Sequence, residues 1–479
     1  MYQKVSQKHI EQLKKIVGSA NVIDDKEKML DYSHDEFSLP EIARLPDVVV
    51  KPGTTEQVSR ILRLANREII PVTPRGGATG LCGGSVPLHG GIVLSLENMN
   101  QIIEIDRNNQ MATVEAGVTL MDFYASVEES GLFFPPHPGE ESAVLGGVIA
   151  TNAGGARAVK YGVIRNYVRG LEVVLSDGSV VKLGGKLMKS STGYSLLHLM
   201  IGSEGTLAII TKAIIQLMPS PQVTRSLIVP FQRLEEAIET VPLMIRRKIL
   251  PMAVEFIPQE VIVITEAFLK KKWPSTQGET YLLIILDGSS DEEIERLSED
   301  VAEVCLEKGA LDVFVADSLQ KQKQVLDIRS KIYEALKANV LDILDIAVPR
   351  GEIALHVKKV QEVAGKYDIW LPTYGHAADG NVHTHIMKAK YEQGKIVPLP
   401  EKEWRDKIDK IRQELYQDCV ERGGVISGEH GIGMVKKPFL SLVLSREEIS
   451  LMKRIKKVFD PDNILNPGKI FDSTEESKA

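Results

Sequence analysis

The chain has little cysteine, little histidine, few aromatic residues and no long apolar run. Its three cysteines, Cys82, Cys305 and Cys419, are far apart and odd in number, which excludes a disulfide framework and a CxxC metal knot. Three scattered thiols also cannot hold an iron–sulfur cluster, and they suit a reducing, cytoplasmic setting. The longest apolar runs, "YLLIIL" (281–286) and "VLGGVIA" (144–150), fall well short of the ~20 residues that span a bilayer, so no transmembrane segment is expected. The N-terminal "MYQKVSQKHIEQLKKIVG" lacks an apolar signal core and a small-residue cleavage site. It reads as an amphipathic surface helix with Ile10, Leu13 and Ile16 on one face. Net charge is −7 and no dense Lys/Arg block occurs, which excludes nucleic acid as an expected partner.

What is present is ordinary globular material, 43% hydrophobic and 26% charged over 479 residues, enough for two to four domains. Residues 1–220 are expected to form a first domain with the N-terminal helix attached. Within it, glycine clusters between short Val/Ile-rich strands: "DVVVKPG", "GIVLSL", "ATVEAGV", "LEVVLSDGSVVKL" and "TLAIITKAIIQLMP". "TEQVSRILRLANRE" predicts a helix after a Thr cap, with Val58, Ile61, Leu62 and Leu64 as its apolar stripe. Pro219 and Pro221 close this part. Residues 221–425 then alternate strand, charged helix and strand ("TYLLIILDG", "DEEIERLSEDVAEVCLEKG", "LDVFVAD"), a split β-α-β pattern of ferredoxin-like type. The Gly/His/Pro-rich remainder, 426–479, is expected to pack back on the folded body and contribute to the active site, with the last few polar residues frayed. The fold class is α+β.

Two stretches carry chemistry. "VTPRGGATGLCGGSVP" (72–87) places five glycines between Gly76 and Gly84, so successive amides can converge on an anion such as phosphate or pyrophosphate. It is neither GxGxxG opening a helix nor GxxxxGK[ST], so the usual NAD and ATP motifs are not supported. The second stretch, "YGHAADGNVHTH" (374–385), holds three of the chain's ten histidines. It is either a solvated polar loop or half of a metal or proton-transfer site. With "GEHG" (428–431) a His/His/Glu set becomes available, which suits Zn²⁺ or another divalent first-row metal with a position open to substrate. Asp379 and Asn381 are expected to shape the turn, and His385 lies on the same strand face as His383.

Seven motifs in order, "PRGGATGLCGG", "GGVIATNAGG", "YGVIRNYV", "GSEGTLAIIT", "YGHAADGNVH", "GEHGIG" and "NPGK", resemble the vanillyl-alcohol oxidase/p-cresol methylhydroxylase superfamily. Within it the resemblance is to the D-type component of glycolate oxidase and to FAD-dependent D-lactate and D-2-hydroxyglutarate dehydrogenases, over about residues 40–471. It implies a two-part FAD-binding domain, a ferredoxin-like cap for substrate, and non-covalent FAD, since no histidine lies in the first glycine-rich loop. The FAD pyrophosphate is implied on Arg75, Gly76, Gly77, Ala78, Thr79, Gly80, Gly83 and Gly84, with Pro74 also implied to bind the cofactor. Further flavin contacts are implied at Pro138, Gly139, Gly146, Gly147, Thr151, Asn152, Gly154, Gly155, Gly205 and Ile209, with Asn466 closing over the ring. Cys82 stands where relatives commonly carry a small residue such as serine, and is expected to act as a small buried hydrophobe.

The resemblance further implies a divalent metal, zinc first with iron or manganese as alternatives, on His376, His383 and Glu429. It implies His430 as general base and Arg329, in the helix expected over 325–337, as carboxylate clamp. Oxidation of a 2-hydroxy acid fits these roles: a metal lowers the hydroxyl pKa, a histidine near neutrality takes the proton, and C2 delivers hydride to flavin. Where 2-hydroxyglutarate dehydrogenases carry a threonine and a lysine, Tyr333 and Ile343 stand here, which favours a small monocarboxylate such as lactate or glycolate. Electrons are expected to pass to a partner, an electron-transferring flavoprotein or an iron–sulfur subunit. Competing expectations are a glycolate oxidase-type subunit of a larger iron–sulfur complex, a D-2-hydroxyglutarate dehydrogenase, a metal hydrolase, and a non-catalytic flavoprotein subunit.

Overall fold

The computed structural model describes residues 2–472 apart from Ser38 and Gln393; the polar residues expected to fray lie beyond these. The chain divides into two compact units, one of residues 1–153, 163–220 and 429–479, the other of residues 154–162 and 221–428.

The first unit opens with helix α1 (Gln7–Val17). Its buried face is His9, Leu13 and Val17, whereas Ile10 and Ile16 are only partly buried. The stripe is thus rotated by about one residue from the expected one, because the His9 imidazole folds inward to accept the Ser6 amide through Nδ1, at 3.1 Å. A four-stranded sheet follows from β1 (Val22–Ile23), β2 (Val48–Val50), β3 (Val72–Arg75) and β4 (Ile92–Ser95), in the order β1-β2-β4-β3, with β2, β3 and β4 parallel. Helix α2 (Thr55–Glu68) supplies the crossover. Thr54 caps it by accepting the Gln57 amide, and Val58, Ile61 and Leu62 are fully buried, each worth ~1.5–3 kcal/mol.

A second, antiparallel sheet has the order β5-β6-β9-β7-β8, from β5 (Ile102–Asp106), β6 (Met111–Glu115), β7 (Val168–Val174), β8 (Val180–Gly184) and β9 (Ile209–Gln216). All five Val/Ile-rich segments picked out in the sequence are strands of these sheets. Between β6 and β7 lies the short helix α3 (Leu145–Thr151).

The second unit is built on one antiparallel sheet of seven strands. They are β10 (Val223–Phe231), β11 (Ala253–Pro258), β12 (Thr280–Gly288), β13 (Phe314–Ala316), β14 (Val340–Ala347), β15 (Thr373–His376) and β16 (Asn381–Met387), in the order β13-β10-β12-β11-β15-β16-β14. Helices α4 (Leu234–Arg246) and α5 (Asp291–Glu307) pack on it, so the expected strand-helix-strand run β12-α5-β13 is present. The helix expected over 325–337 is two: α6 (Leu319–Ser330) and α7 (Ile332–Leu336), parted at Lys331. The Ser330 hydroxyl donates to the Asp327 carbonyl at 3.1 Å, a local bond that competes with helix continuation.

The C-terminal segment folds into the first unit through helix α8 (Arg446–Phe459). The buried Lys456 ammonium pairs with the Asp460 carboxylate and donates to the carbonyls of Thr206 and Leu465 at 2.7 and 2.8 Å. Asp460 in turn accepts the amides of Ile464 and Leu465, so this ion pair has its remaining bonds satisfied, the condition under which a buried pair is tolerated. It holds "ILN" (464–466) against the free edge of β3, where Val72 donates to Ile464 O and accepts from the Asn466 amide.

Candidate active site

Each unit carries one half of the chemistry foreseen. In the first, the glycine-rich loop leaves the end of β3. Gly76 and Gly77 are fixed by packing, since a Cβ would stand 2.5 Å from Val144 and 3.1 Å from the Ser142 carbonyl. Ala78 adopts φ +55°, a left-handed conformation that turns successive amides to one side. Gly84 and Gly139 differ: neither has a positive φ, and a Cβ on either would meet nothing within 4 Å. Neither backbone geometry nor a neighbour demands glycine there. A cavity of about 370 Å³ opens beside the loop, lined by Tyr32, Arg75, Gly76, Gly77, Thr119 and Asp122 among others.

The other positions implied for the flavin serve the frame as well. The Arg75 guanidinium braces the preceding turn, donating to Asp31 O and His34 O at 2.6 and 2.7 Å, so Arg75 meets the loop through its backbone. Gly146 lets α3 approach β6, where a Cβ would stand 2.7 Å from that of Ala116, while at Gly147 a Cβ would find only ordinary contact. Thr151 bonds back to Gly147 O, and Asn152 ends α3 at φ +52° while accepting the Arg165 amide. Gly205, at φ +69°, would clash with Pro74 at 2.4 Å if it carried a Cβ. Ile209 is buried in β9, and Pro138 is partly exposed. Gly154 and Gly155 fall in the second unit. Asn466 ties two loops together, its Nδ2 donating to Gly84 O at 3.0 Å and Glu204 O at 2.8 Å.

Cys82 is 3% exposed, and its Sγ lies 3.3 Å from Gly431 O. Two buried charges of this unit escaped the sequence reading. Asp35 accepts the Phe37 amide through Oδ1 while its Oδ2 has no hydrogen-bond partner, and burial pushes its carboxyl up to about 6. Lys469, of the "NPGK" motif, donates to Val86 O and Asn466 Oδ1, and burial pulls it down to about 8.

In the second unit, strand register assembles the histidines. Glu255 of β11 faces His376 of β15, Tyr374 faces His383 of β16, and β14 sets Asp345 opposite His383 and Ile343 opposite His385. Paired residues and residues two apart share a face, so all seven side chains project from one side of the sheet. His376 Nε2 and His383 Nε2 stand 3.5 Å apart, the spacing of two imidazoles ~2.0–2.1 Å from one tetrahedral metal. The other His376 nitrogen, Nδ1, bonds Glu255 Oε1 at 2.5 Å, a carboxylate contact that fixes the tautomer and orientation of the ring. Burial would raise the Glu255 carboxyl, yet Arg329 and His376 beside it hold it at about 2.

Arg329, on α6, donates from Nε to Glu255 Oε2 at 2.7 Å and also from Nη2, and stacks over the Tyr374 ring at 5.1 Å. Two of the donors of its planar fork thus go to one carboxylate oxygen of Glu255. His385 stacks on Tyr374 with centroids 5.1 Å apart, and Tyr333 approaches it at 6.2 Å. Asp379 accepts the Asn381 amide at 3.0 Å and so shapes the turn, while Asn381 Nδ2 donates to Asp345 Oδ1 at 2.8 Å. Ser427 also bonds Asp345, and the Gly428 amide donates to the Asp345 carbonyl at 3.0 Å. Glu429 and His430 are the next two residues of the chain.

Sequence reasoning missed Glu255 and Asp345, each an acidic residue of a largely apolar strand ("AVEFIP", "VLDILDIA").

Residues 46–184 match the family model of the FAD binding domain, and residues 220–470 that of FAD linked oxidases, C-terminal domain. The chain is 47% identical to a D-lactate dehydrogenase of Archaeoglobus fulgidus, over 88% of this chain and 91% of that protein. It is 40% identical to glycolate oxidase subunit GlcD of Bacillus subtilis, over 96% of each. In fold it is similar to p-cresol methylhydroxylase, with a TM-score of 0.79 at 19% identity over 99% of each chain. The expected superfamily and α+β fold are thereby borne out. No helix of the described residues is long and apolar enough to cross a membrane.

Proposed function

Because the chain belongs to the FAD-linked oxidoreductases of the D-lactate dehydrogenase, GlcD and D-2-hydroxyglutarate dehydrogenase group, we propose that it oxidises a small D-2-hydroxy monocarboxylate, D-lactate or glycolate, to the 2-oxo acid. The observation that carries this reading is the sheet face of the second unit. There the two imidazole nitrogens 3.5 Å apart, backed by Glu255, stand on the same face as His385, which Tyr333 and Ile343 flank. Bound FAD supplies the hydride acceptor, and a divalent metal, zinc first, supplies the Lewis acid that acidifies the substrate hydroxyl.

His376 and His383 would hold that metal, with Glu429 as third ligand. Glu255 accepts the Nδ1–H of His376 and so turns Nε2 toward His383 as the ligand atom. Arg329, held beside Glu255 and Tyr374, supplies the cation for the substrate carboxylate. His430 takes the hydroxyl proton, which requires its imidazole neutral. Tyr333 and Ile343 wall the substrate side, so a second carboxylate would be buried without a partner, and the site favours lactate or glycolate over 2-hydroxyglutarate. In the first unit, the amides of Gly76 to Gly80, Gly83 and Gly84 hold the pyrophosphate, and Asn466 secures the loop on the flavin side. Electrons leave for an electron-transferring flavoprotein or an iron–sulfur subunit, since three buried cysteines give this chain no cluster of its own. The reducing cytoplasm suits those free thiols.

The test is an anaerobic visible spectrum of the purified holoprotein before and after D-lactate, L-lactate, glycolate or D-2-hydroxyglutarate. Bleaching of the flavin band by D-lactate or glycolate is expected. Bleaching by D-2-hydroxyglutarate alone would overturn the monocarboxylate assignment, and a flavoprotein that no acid bleaches would overturn the reaction.

A further inference from the structure

Glu204, inside "GSEGT", is a residue of unusual placement. It is partly buried and adopts φ +51°, a left-handed conformation unfavourable for any residue with a Cβ. Glycine or asparagine would occupy it at less cost, so the glutamate side chain needs a reason of its own. Its carboxylate provides one. Oε1 accepts the Ile432 amide at 2.8 Å and Oε2 accepts the Gly433 amide at 2.7 Å. The turn of "HGIG" wraps this anion closely: Gly431 has φ +84° and a Cβ there would stand 3.1 Å from the carboxylate, while Gly433 has φ +53° and a Cβ would strike Cys82 O at 2.1 Å. Two consecutive amides converging on one carboxylate make a nest built from side chain and turn of the same chain.

The backbone of Glu204 is held with equal firmness. Its amide donates to Ala150 O at 2.8 Å, and its carbonyl accepts Asn466 Nδ2 at 2.8 Å. Four sequence motifs, "GGVIATNAGG", "GSEGT", "GEHGIG" and "NPGK", therefore meet at this one residue, and three of them are implied to contact the flavin. The fourth carries Glu429 and His430 directly before the turn. Burial pushes the carboxyl of Glu204 up, opposed by the Ile432 and Gly433 amides and by the charges of Lys436 and Lys469.

We propose that Glu204 is a positioning residue for His430: its carboxylate fixes the Gly431–Gly433 turn, and through it the pitch of the Glu429–His430 pair, on the frame of the FAD-binding motifs. The proposal rests on the reading of His430 as general base. Catalytic groups displaced by ~1 Å lose up to about a hundredfold in rate, so the contact bears on turnover although Glu204 touches no reacting atom.

The test uses the holoenzyme and Glu204→Gln, in which one amide N–H must face an NH₂ donor. Glu204→Asp keeps the charge but not the reach to both amides, and serves where Glu204→Gln does not fold. Hydrogen exchange over residues 429–436 is expected to rise in the variant while flavin content stays as in wild type. The rate of anaerobic flavin reduction by D-lactate at saturation is expected to fall about tenfold to a hundredfold, with half-saturation changed by less than about threefold, and its pH profile to shift. Glu204→Asp is expected to fall between the two. Unchanged exchange in the turn would overturn the proposal, as would raised exchange with an unaltered rate and pH profile. Loss of flavin with the turn still protected would assign Glu204 to cofactor binding instead and equally overturn it. A failure of the underlying reading is recognised separately: wild type itself is then not reduced by any of the 2-hydroxy acids, while the exchange experiment still reports on the turn.

Discussion

Replacing Asp35 by asparagine probes the charge buried behind the glycine-rich loop. The carboxyl is 5% exposed, and only Oδ1 has a partner in the Phe37 amide, whereas Oδ2 has none and lies near Gly80. Burial carries it from 3.8 to about 6 against the pull of the Phe37 amide and of Arg75. The other charge that senses Asp35 is Lys469, whose ammonium it stabilises. A folded-state pKa above the unfolded one means that the folded protein prefers the protonated acid, so the stability associated with Asp35 is complete below the unfolded value and is lost as pH rises through about 6. The full loss is about 3 kcal/mol, of which about 2 kcal/mol falls between roughly pH 4.5 and pH 7.5. Asparagine does not titrate. Its NH₂ in place of Oδ2 adds a constant penalty of about 1–3 kcal/mol if unpaired, which cancels when the two proteins are compared across pH. In thermal unfolding, the stability of wild type relative to Asp35→Asn should therefore fall by about 2 kcal/mol as pH rises over that range, a relative shift of Tm on the order of 2 °C for a chain of 479 residues. A difference that stays flat within about 0.5 kcal/mol would refute the burial argument, because it would mean that Asp35 ionises in the folded protein as it does in water.

Two further outcomes separate ligand binding from folding. Gly84→Ala should leave the stability of the apoprotein within about 0.5 kcal/mol but weaken FAD about tenfold or more, equal to 1.4 kcal/mol. Gly205→Ala should cost the apoprotein about 2 kcal/mol because both its φ and Pro74 oppose a Cβ; equal behaviour of the two variants would contradict the steric reading. Removal of metal by a chelator, verified by elemental analysis, should abolish flavin reduction by substrate while the flavin stays bound, and added Zn²⁺, Fe²⁺ or Mn²⁺ should restore it. Full-rate reduction by metal-free protein would remove the metal from the mechanism.

The glycine loops were legible because their chemistry is local. Backbone amides, turn glycines and short strands are written within ten or twenty residues, and Gly76, Gly77, Gly83 and Gly205 are glycines for reasons of packing or φ that operate on the spot. The histidine turn was legible in the same way, down to Asp379 holding the Asn381 amide. Less was legible where partners are distant. Ser330 breaking a helix that contains neither glycine nor proline depends on one hydroxyl rotamer, and the inward turn of His9 on one hydrogen bond. Glu204 stood in plain view inside a quoted motif, yet the amides it holds lie more than two hundred residues further on.

Glu255 and Asp345 were hidden for a different reason: in "AVEFIP" and "VLDILDIA" an acid inside an apolar strand is compatible with an edge or a solvated face. Burial is what turns it into information. A carboxylate that is 1% or 0% exposed is not tolerated without a donor or a cation, so each of these strands predicts a buried partner. Register then names it, His376 for Glu255 and, with the help of Asn381 and Ser427, the neighbourhood of His383 for Asp345. The alternation of a strand can say that an acid is on the inner face, but only the pairing of strands about 40 to about 120 residues apart can say which histidine it serves.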